Sequence, residues 1–142
     1  AHAIGAPLAD NIAVRHALTA VWNRNVLGHA AQGVMTYDQR LALLPAYLQQ
    51  LEMESNGKSV DSQGNSVAPS TAPALWGGEG SVGQHSYHQW LHQGSQAVPC
   101  EFILAPDYDR DSDGLDALTA HALAQARDVA RQAAQCLGLA PN

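Results

Sequence analysis

The residues with the clearest chemical use are a carboxylate and an imidazole. Glu54 stands in the run Met53-Glu54-Ser55-Asn56-Gly57-Lys58, and His85 follows Gly83-Gln84 further along the chain. A glutamate with an ordinary pKa of about 4.3 is ionised at neutral pH, and partial burial lifts it toward the range of roughly 6 to 7 that suits a general base. His85 falls at an expected helix start, where the positive end of the helix dipole disfavours imidazolium and keeps the ring neutral. Each residue alone fits a plainer role. Exposed glutamates far outnumber catalytic ones, so Glu54 also reads as a solvated helix-end acid with Lys58 as its surface partner.

Other constellations carry less. His85, His88 and His92 are spaced to share a helical face, as zinc-binding imidazoles can be, but no HExxH-type acid or cysteine completes the set. His92 reads instead as a packed, hydrogen-bonded histidine. Asp109-Arg110-Asp111-Ser112-Asp113-Gly114 matches the front of a calcium loop, yet its twelfth position is Ala120 where a bidentate glutamate is needed. Capping of a following helix by Asp111 or Asp113 is the better account. Gly77-Gly78-Glu79-Gly80-Ser81 offers backbone N–H groups to an anion but is neither a Walker loop nor a dinucleotide fingerprint. Trp76 and Trp90 read as core or interface residues. No metal and no cofactor is expected.

The elements that must hold Glu54 and His85 follow from pattern and punctuation. Pro7 to Leu27 has an amphipathic helical pattern, with Asp10 near its start and Gly28 at its end. Gly33-Val34-Met35-Thr36-Tyr37 reads as a buried parallel strand. Pro45 belongs in the first turn of a helix that carries Gln50 and Glu54 on one face, with Leu48 and Leu51 turned to the core. Asn56-Gly57 makes the turn that follows, both residues tolerating positive φ, and Lys58 to Val67 reads as a small surface hairpin. Ala74-Leu75-Trp76 is a short strand leading into a glycine loop over Gly77 to Gly83, with a helix opening near Gln84-His85. A strand over Ala97 to Leu104 and a long Ala-rich helix from Asp113 to Leu137 complete the order. Helices alternating with apolar strands imply an α/β fold, a parallel sheet flanked by helices. Its strand count is short of a whole α/β domain.

Composition limits the partners. At 142 residues the chain fits one domain able to bury a core without disulfides or metals. It is 46% hydrophobic and 14% charged, a globular balance. A net charge of −6 with only 7 Lys and Arg argues against a nucleic-acid or anionic-membrane surface and favours a small soluble partner. Cys100 and Cys136 have neither CxxC spacing nor disulfide-scaffold density, so both read as reduced packing residues in the cytosol. No apolar run approaches the roughly 18 residues of a membrane span. The start, Ala1-His2-Ala3-Ile4, has no signal-peptide core and no methionine, which suggests a fragment.

Several runs, taken in order, point to one family. Tyr37-Asp38-Gln39, Pro45-Ala46-Tyr47-Leu48-Gln49-Gln50, Met53 to Val60, Trp76-Gly77, Gly83-Gln84-His85, His92-Gln93-Gly94 and Pro99-Cys100 closely resemble glucose-6-phosphate isomerase, over about Leu18 to Ala105. The resemblance implies that residues 1–142 are part of a sugar-isomerase (SIS) domain, a three-layer α/β/α sandwich. It implies interconversion of glucose 6-phosphate and fructose 6-phosphate in glycolysis and gluconeogenesis, in the cytoplasm and without a cofactor. Glu54 aligns with the base that moves a proton between C2 and C1 through a cis-enediolate, and Gln50 with a substrate-contacting glutamine. His85 aligns with the histidine that assists ring opening and reaches the site across a homodimer interface. The family's Gly-Gly-Arg motif, sugar-phosphate loop and C-terminal lysine motif are absent from this chain. It therefore resembles an internal piece that is incomplete for catalysis. A non-catalytic sugar-phosphate-binding or dimerisation module of the same fold is the alternative. His88 and Trp90 beside His85, and Gly78 after Trp76-Gly77, are local departures from the family's pattern.

Overall fold

The computed structural model describes residues 7–68, 70–105, 113–136 and 139, and side chains within 113–136 are described from 117 to 135. The calcium-loop and capping readings rest on 109–112 and on side chains at 113 and 114, which fall outside them, as does the side chain of Cys136.

The first helix, α1, spans Ile12–Val21. It starts later than the pattern suggests because Asn11, and not Asp10, caps it: the Asn11 Oδ1 accepts the N–H groups of Ala13 at 3.1 Å and Val14 at 3.3 Å. A 3-10 turn, Leu8–Asp10, precedes it, and a wider π turn, Trp22–Val26, follows. Gly28 ends the segment at φ 74°, as its place in the sequence suggests.

Strand β1, Ala31–Thr36, is the centre of a sheet ordered β2-β1-β3, where β2 is Ala74–Glu79 and β3 is Cys100–Ile103. Both pairings are parallel. Gly33, Val34, Met35 and Thr36 are all buried, which is why this stretch reads as a continuous apolar run and not an alternating one. β2 is longer than expected. Gly77 and Gly78, placed in a loop by their sequence, are strand residues paired with Val34 and Met35. Gly77 is there because its φ is 142° and because a Cβ would fall 2.7 Å from the Val34 carbonyl carbon. β3 is correspondingly shorter than the run over 97–104.

Helix α2, Leu44–Gln49, has Pro45 in its first turn as expected, and runs on into a π turn over Gln50–Glu54. Leu48 and Leu51 both face the sheet, but across an open groove, so Leu51 is 48% exposed while Leu48 is half-buried. The surface hairpin reduces to one antiparallel bridge, Val60 with Ser66. Its turn is tied by the Asp61 carboxylate, which accepts the N–H of Gln63 at 2.8 Å and of Asn65 at 2.9 Å. Those bonds, chiefly from Asn65, hold the Asp61 pKa below its ordinary value.

The sheet separates two layers. On one face Met35 and Tyr37 meet Ala122 of α5, Asp113–Cys136, together with Trp76, Tyr87, Leu91, Cys100 and Phe102. Tyr87 and Leu91 come from the turn and helix α4, His88–Gln93. Trp76 stands edge-on to Tyr87 at 4.9 Å and to Trp90 at 5.9 Å, contacts worth about 0.5 to 1.5 kcal/mol each beyond their buried area. Burial pushes the Tyr37 hydroxyl up to about 12 and the Cys100 thiol to about 11, so both stay neutral. On the other face Gln32, Val34, Leu75 and Glu101 are roofed by α1 and α2, with an open groove of about 350 Å³ between. The result is the parallel sheet flanked by helices that the alternating pattern implies, in the three-layer α/β/α arrangement that the resemblance implies. None of α1's residues is buried, and Leu18 is 62% exposed.

Candidate functional site

Glu54 closes the π turn that Gln50 opens, and both side chains are exposed. Such turns widen one step of a helix and recur at functional sites, where they redirect side chains that a regular helix would stack. The turn is held at its carboxyl end by two contacts. Met53 Sδ accepts the N–H of Leu75 at 3.3 Å, which pins it beside the start of β2. The Lys58 ammonium hydrogen-bonds the backbone carbonyl of Glu54, so this lysine caps the helix end, as basic groups do at the negative end of a helix dipole. Nearby, Asn56 Nδ2 donates to Glu52 Oε2 at 2.9 Å.

Gly57 is needed here for closeness and not for positive φ, which only Gly28, Gly64 and Gly77 adopt among the described residues. Its N–H donates to the Met53 carbonyl at 3.1 Å, and a Cβ on it would collide with that same oxygen. Gly57→Ala should therefore unwind the last turn before it and cost about 1 to 3 kcal/mol. Chemical unfolding of the intact protein measures this; an unchanged midpoint would mean the chain leaves the helix differently.

His85 is not at a helix start. β2 passes into the helical turn α3, Gly80–Gly83, and His85 lies in the bend that follows, exposed, with its N–H donated to the Val82 carbonyl at 3.3 Å. The bend forms because Gly83, having no Cβ, admits the Tyr87 ring, while its carbonyl accepts from Ser86 and Tyr87 at 3.0 Å each. A positive helix end therefore does not act on His85; the next helix opens at His88.

The topology keeps Glu54 and His85 of one chain apart. Glu54 belongs to the α2 layer at the amino end of β2, and His85 follows the carboxyl end of that strand. Six residues of β2 rise roughly 17 Å from first to last. The α4 segment beyond His85 packs on the opposite face, through Tyr87 and Leu91. Nor do the histidines converge. His85 is exposed, His88 is buried and His92 is half-buried, with the His88 and His92 rings 6.0 Å apart. Among the described residues no group of three or more His, Cys, Asp or Glu is placed to hold a metal ion.

Other polar groups stand out that the sequence does not flag. Glu101 in the groove accepts from the Gln32 amide and pairs with His16 at 2.9 Å, tying α1 to β3. Arg24 donates to the His29 carbonyl at 3.1 Å across the same side. His88, and not His92, is the packed histidine. It neighbours Tyr87 in a sequence whose apolar positions continue at Leu91, and only the pairing of α4 with α5 shows which way its ring turns.

The family model for phosphoglucose isomerase matches residues 1–135 of the chain. The glucose-6-phosphate isomerase of Stenotrophomonas maltophilia (strain K279a) is 54% identical over 131 residues, covering 92% of this chain and 26% of that protein. The enzyme of the same name from Xanthomonas oryzae pv. oryzae (strain PXO99A) matches equally, at 54% over 131 residues. The chain thus spans about a quarter of the length of these curated relatives. Among solved structures, a glucose-6-phosphate isomerase from Chlamydia trachomatis superposes with a TM-score of 0.73 at 37% identity, covering 87% of this chain and 25% of that one. A hypothetical protein from Thermus thermophilus superposes at 0.66 with 25% identity, covering 93% of this chain and 34% of the other.

Proposed function

This chain belongs to the phosphoglucose isomerase family, and from that premise we propose that residues 1–142 are part of a sugar-isomerase domain supplying the proton-transfer groups of an aldose-ketose isomerase. The substrates in this reading are glucose 6-phosphate and fructose 6-phosphate, in the cytoplasm, with the intact protein a homodimer. Glu54 takes the C2 proton of the open-chain aldose. The electrons left behind form the C1–C2 double bond of a cis-enediolate as the C1 carbonyl pair moves onto O1. The O2 hydroxyl proton passes to O1, and as the C2 carbonyl forms the proton held by Glu54 returns to C1 to give the ketose. Gln50, one turn earlier on the same exposed surface, contacts the sugar. Lys58 is committed to the Glu54 carbonyl, and the family's Gly-Gly-Arg motif and sugar-phosphate loop are not in residues 1–142, so in this reading the groups that stabilise the enediolate and hold the phosphate come from other segments.

The observation that carries the reading is the separation of Glu54 from His85. Ring opening by His85 and proton transfer by Glu54 must occur on one bound sugar, yet β2 lies between the two residues of a chain. A site with both is made when His85 of one copy meets Glu54 of another, which a two-fold dimer achieves twice.

Subunit mixing tests this. Intact Glu54→Gln and His85→Ala proteins should each turn over poorly. After dissociation and remixing, half the dimers are hybrids and each hybrid has one site with both wild-type residues, so about a quarter of wild-type turnover should return. No recovery above the parents, with exchange confirmed by native mass spectrometry, would place both residues in one subunit's site. Binding of the sugar phosphate with no turnover by the wild-type protein would instead support the non-catalytic module.

A further inference from the structure

His88 opens α4 at 4% exposure, and neither of its ring nitrogens has a hydrogen-bond partner among the described residues. An imidazole carries at least one N–H donor, so a ring in this state is an unusual thing to bury. It lies against the Tyr87 ring, centroids 5.4 Å apart and 24° between planes, and the Tyr87 hydroxyl is also buried without a partner among the described residues. The groups that face it are of one kind. His92 on α4 stands 6.0 Å away, ring to ring, and His121 acts on it from α5. Tyr87, and behind it Cys100 on β3, are uncharged, and among the described residues no carboxylate acts on the ring. A proton added to His88 would thus be a buried charge among imidazoles, with no anion among the described residues to meet it.

We propose that His88 is a positioning residue which holds the bend carrying His85 against the sheet only while its imidazole is neutral, so that acid releases this segment. The bend is short and locally built. Tyr87 and Leu91 are its apolar anchors, and Gln84 reaches His121 on α5. Segments held by so few contacts open at a lower cost than the whole fold.

The direction with pH follows from linkage. In the open chain His88 takes up a proton at its ordinary 6.5, whereas in the closed state burial first, and His92 and His121 second, hold its pKa lower. Closure is therefore fully stable above pH 6.5, and it loses stability as pH falls from 6.5 toward the lowered value. One unit below 6.5 shifts the opening equilibrium by at most about tenfold, the limit reached when the closed state takes up no proton.

Amide hydrogen exchange on the intact protein at pH 7.5 and 5.5, corrected for the intrinsic chemical rate, reads this out. Protection over 85–93 should fall at the lower pH relative to β1, by at most about tenfold. His88→Phe should keep equal protection at both values, and His88→Gln, neutral at both, should do the same if the phenylalanine variant folds poorly. An equal fall in wild type and both variants, or no fall in wild type, overturns the proposal. The loss of ring-opening activity that release would bring rests on the isomerase reading, but the exchange result does not, so either can fail alone.

Discussion

Replacing Gly77 by alanine should cost about 4 kcal/mol or more and leave the intact protein largely unfolded, because the whole stability of a domain is about 5 to 15 kcal/mol. Gly77 sits in β2 at φ 142°, a backbone angle that L residues rarely adopt, directly opposite Val34 of the central strand. A Cβ there would lie 2.7 Å from the Val34 carbonyl carbon and 2.9 Å from its nitrogen, inside the 3.0 Å that Cβ atoms essentially never breach. The obstacle is backbone, so no rotamer change relieves it. Nor can β1 retreat, since Val34 and Met35 are 1% and 0% exposed and are held from both faces. Gly78→Ala is the matched control: a Cβ at Gly78 meets nothing within 4 Å, so it should shift stability by no more than about 0.5 kcal/mol. Urea denaturation of both variants decides it. Equal midpoints for the two would mean that β1 and β2 are not paired in this register.

The contrast between these neighbouring glycines shows what a sequence can and cannot reveal about this fold. Two glycines in a row are ordinarily loop punctuation, and nothing local distinguishes Gly77 from Gly78. What makes one essential is a carbonyl far away in the chain. β1, by contrast, is legible because burial on both faces demands an unbroken apolar run, and Pro45 is legible because its missing N–H fits only the first turn of a helix. The start of α1 is open in the sequence between two adjacent residues of similar capping power, Asp10 and Asn11, and only the orientation of the Asn11 side chain settles it. Leu51 shows the same limit: the helical spacing aims it at the sheet, where it lines the groove, but only the structure shows that the groove stays open and leaves it exposed.

For the candidate site, the spacing of Gln50 and Glu54 is enough to place them on one helical turn, and the structure keeps them at the two ends of one. His85 escapes the sequence pattern because the glycine segment folds into its own short helical turn, α3, and delays the next helix to His88. The distance between Glu54 and His85 is a topological fact. It arises because the crossover from β1 returns to the amino end of β2 before that strand carries the chain back across the sheet. Two residues separated by one strand in sequence are thereby set at opposite ends of it. No reading of side-chain chemistry at either position contains that information.

Glu54→Gln should leave the fold intact and reduce kcat on the sugar phosphate by about 10² to 10⁴, the share that a positioned general base contributes. The amide has the size of the carboxylate but cannot take the C2 proton. Stability should hold because Glu54 is exposed and because Lys58 caps the turn through the Glu54 backbone carbonyl, which the substitution keeps. KM should change little, since the interaction lost belongs to the transition state. Glu54→Asp separates position from chemistry: it keeps the carboxylate but draws it back by one methylene, and a shift of that order costs about 10²-fold when reacting groups must be in contact. Glu52→Gln is the control for a nearby acid. Glu52 accepts from Asn56, so its loss should touch stability slightly and turnover not at all. His85→Ala differs in kind, since its defect should shrink when the sugar is supplied in open-chain form, whereas the Glu54→Gln defect should persist. Turnover by Glu54→Gln within about threefold of wild type, on protein of normal stability, would remove Glu54 from the proton-transfer step, because the uncatalysed transfer is far too slow to supply that rate.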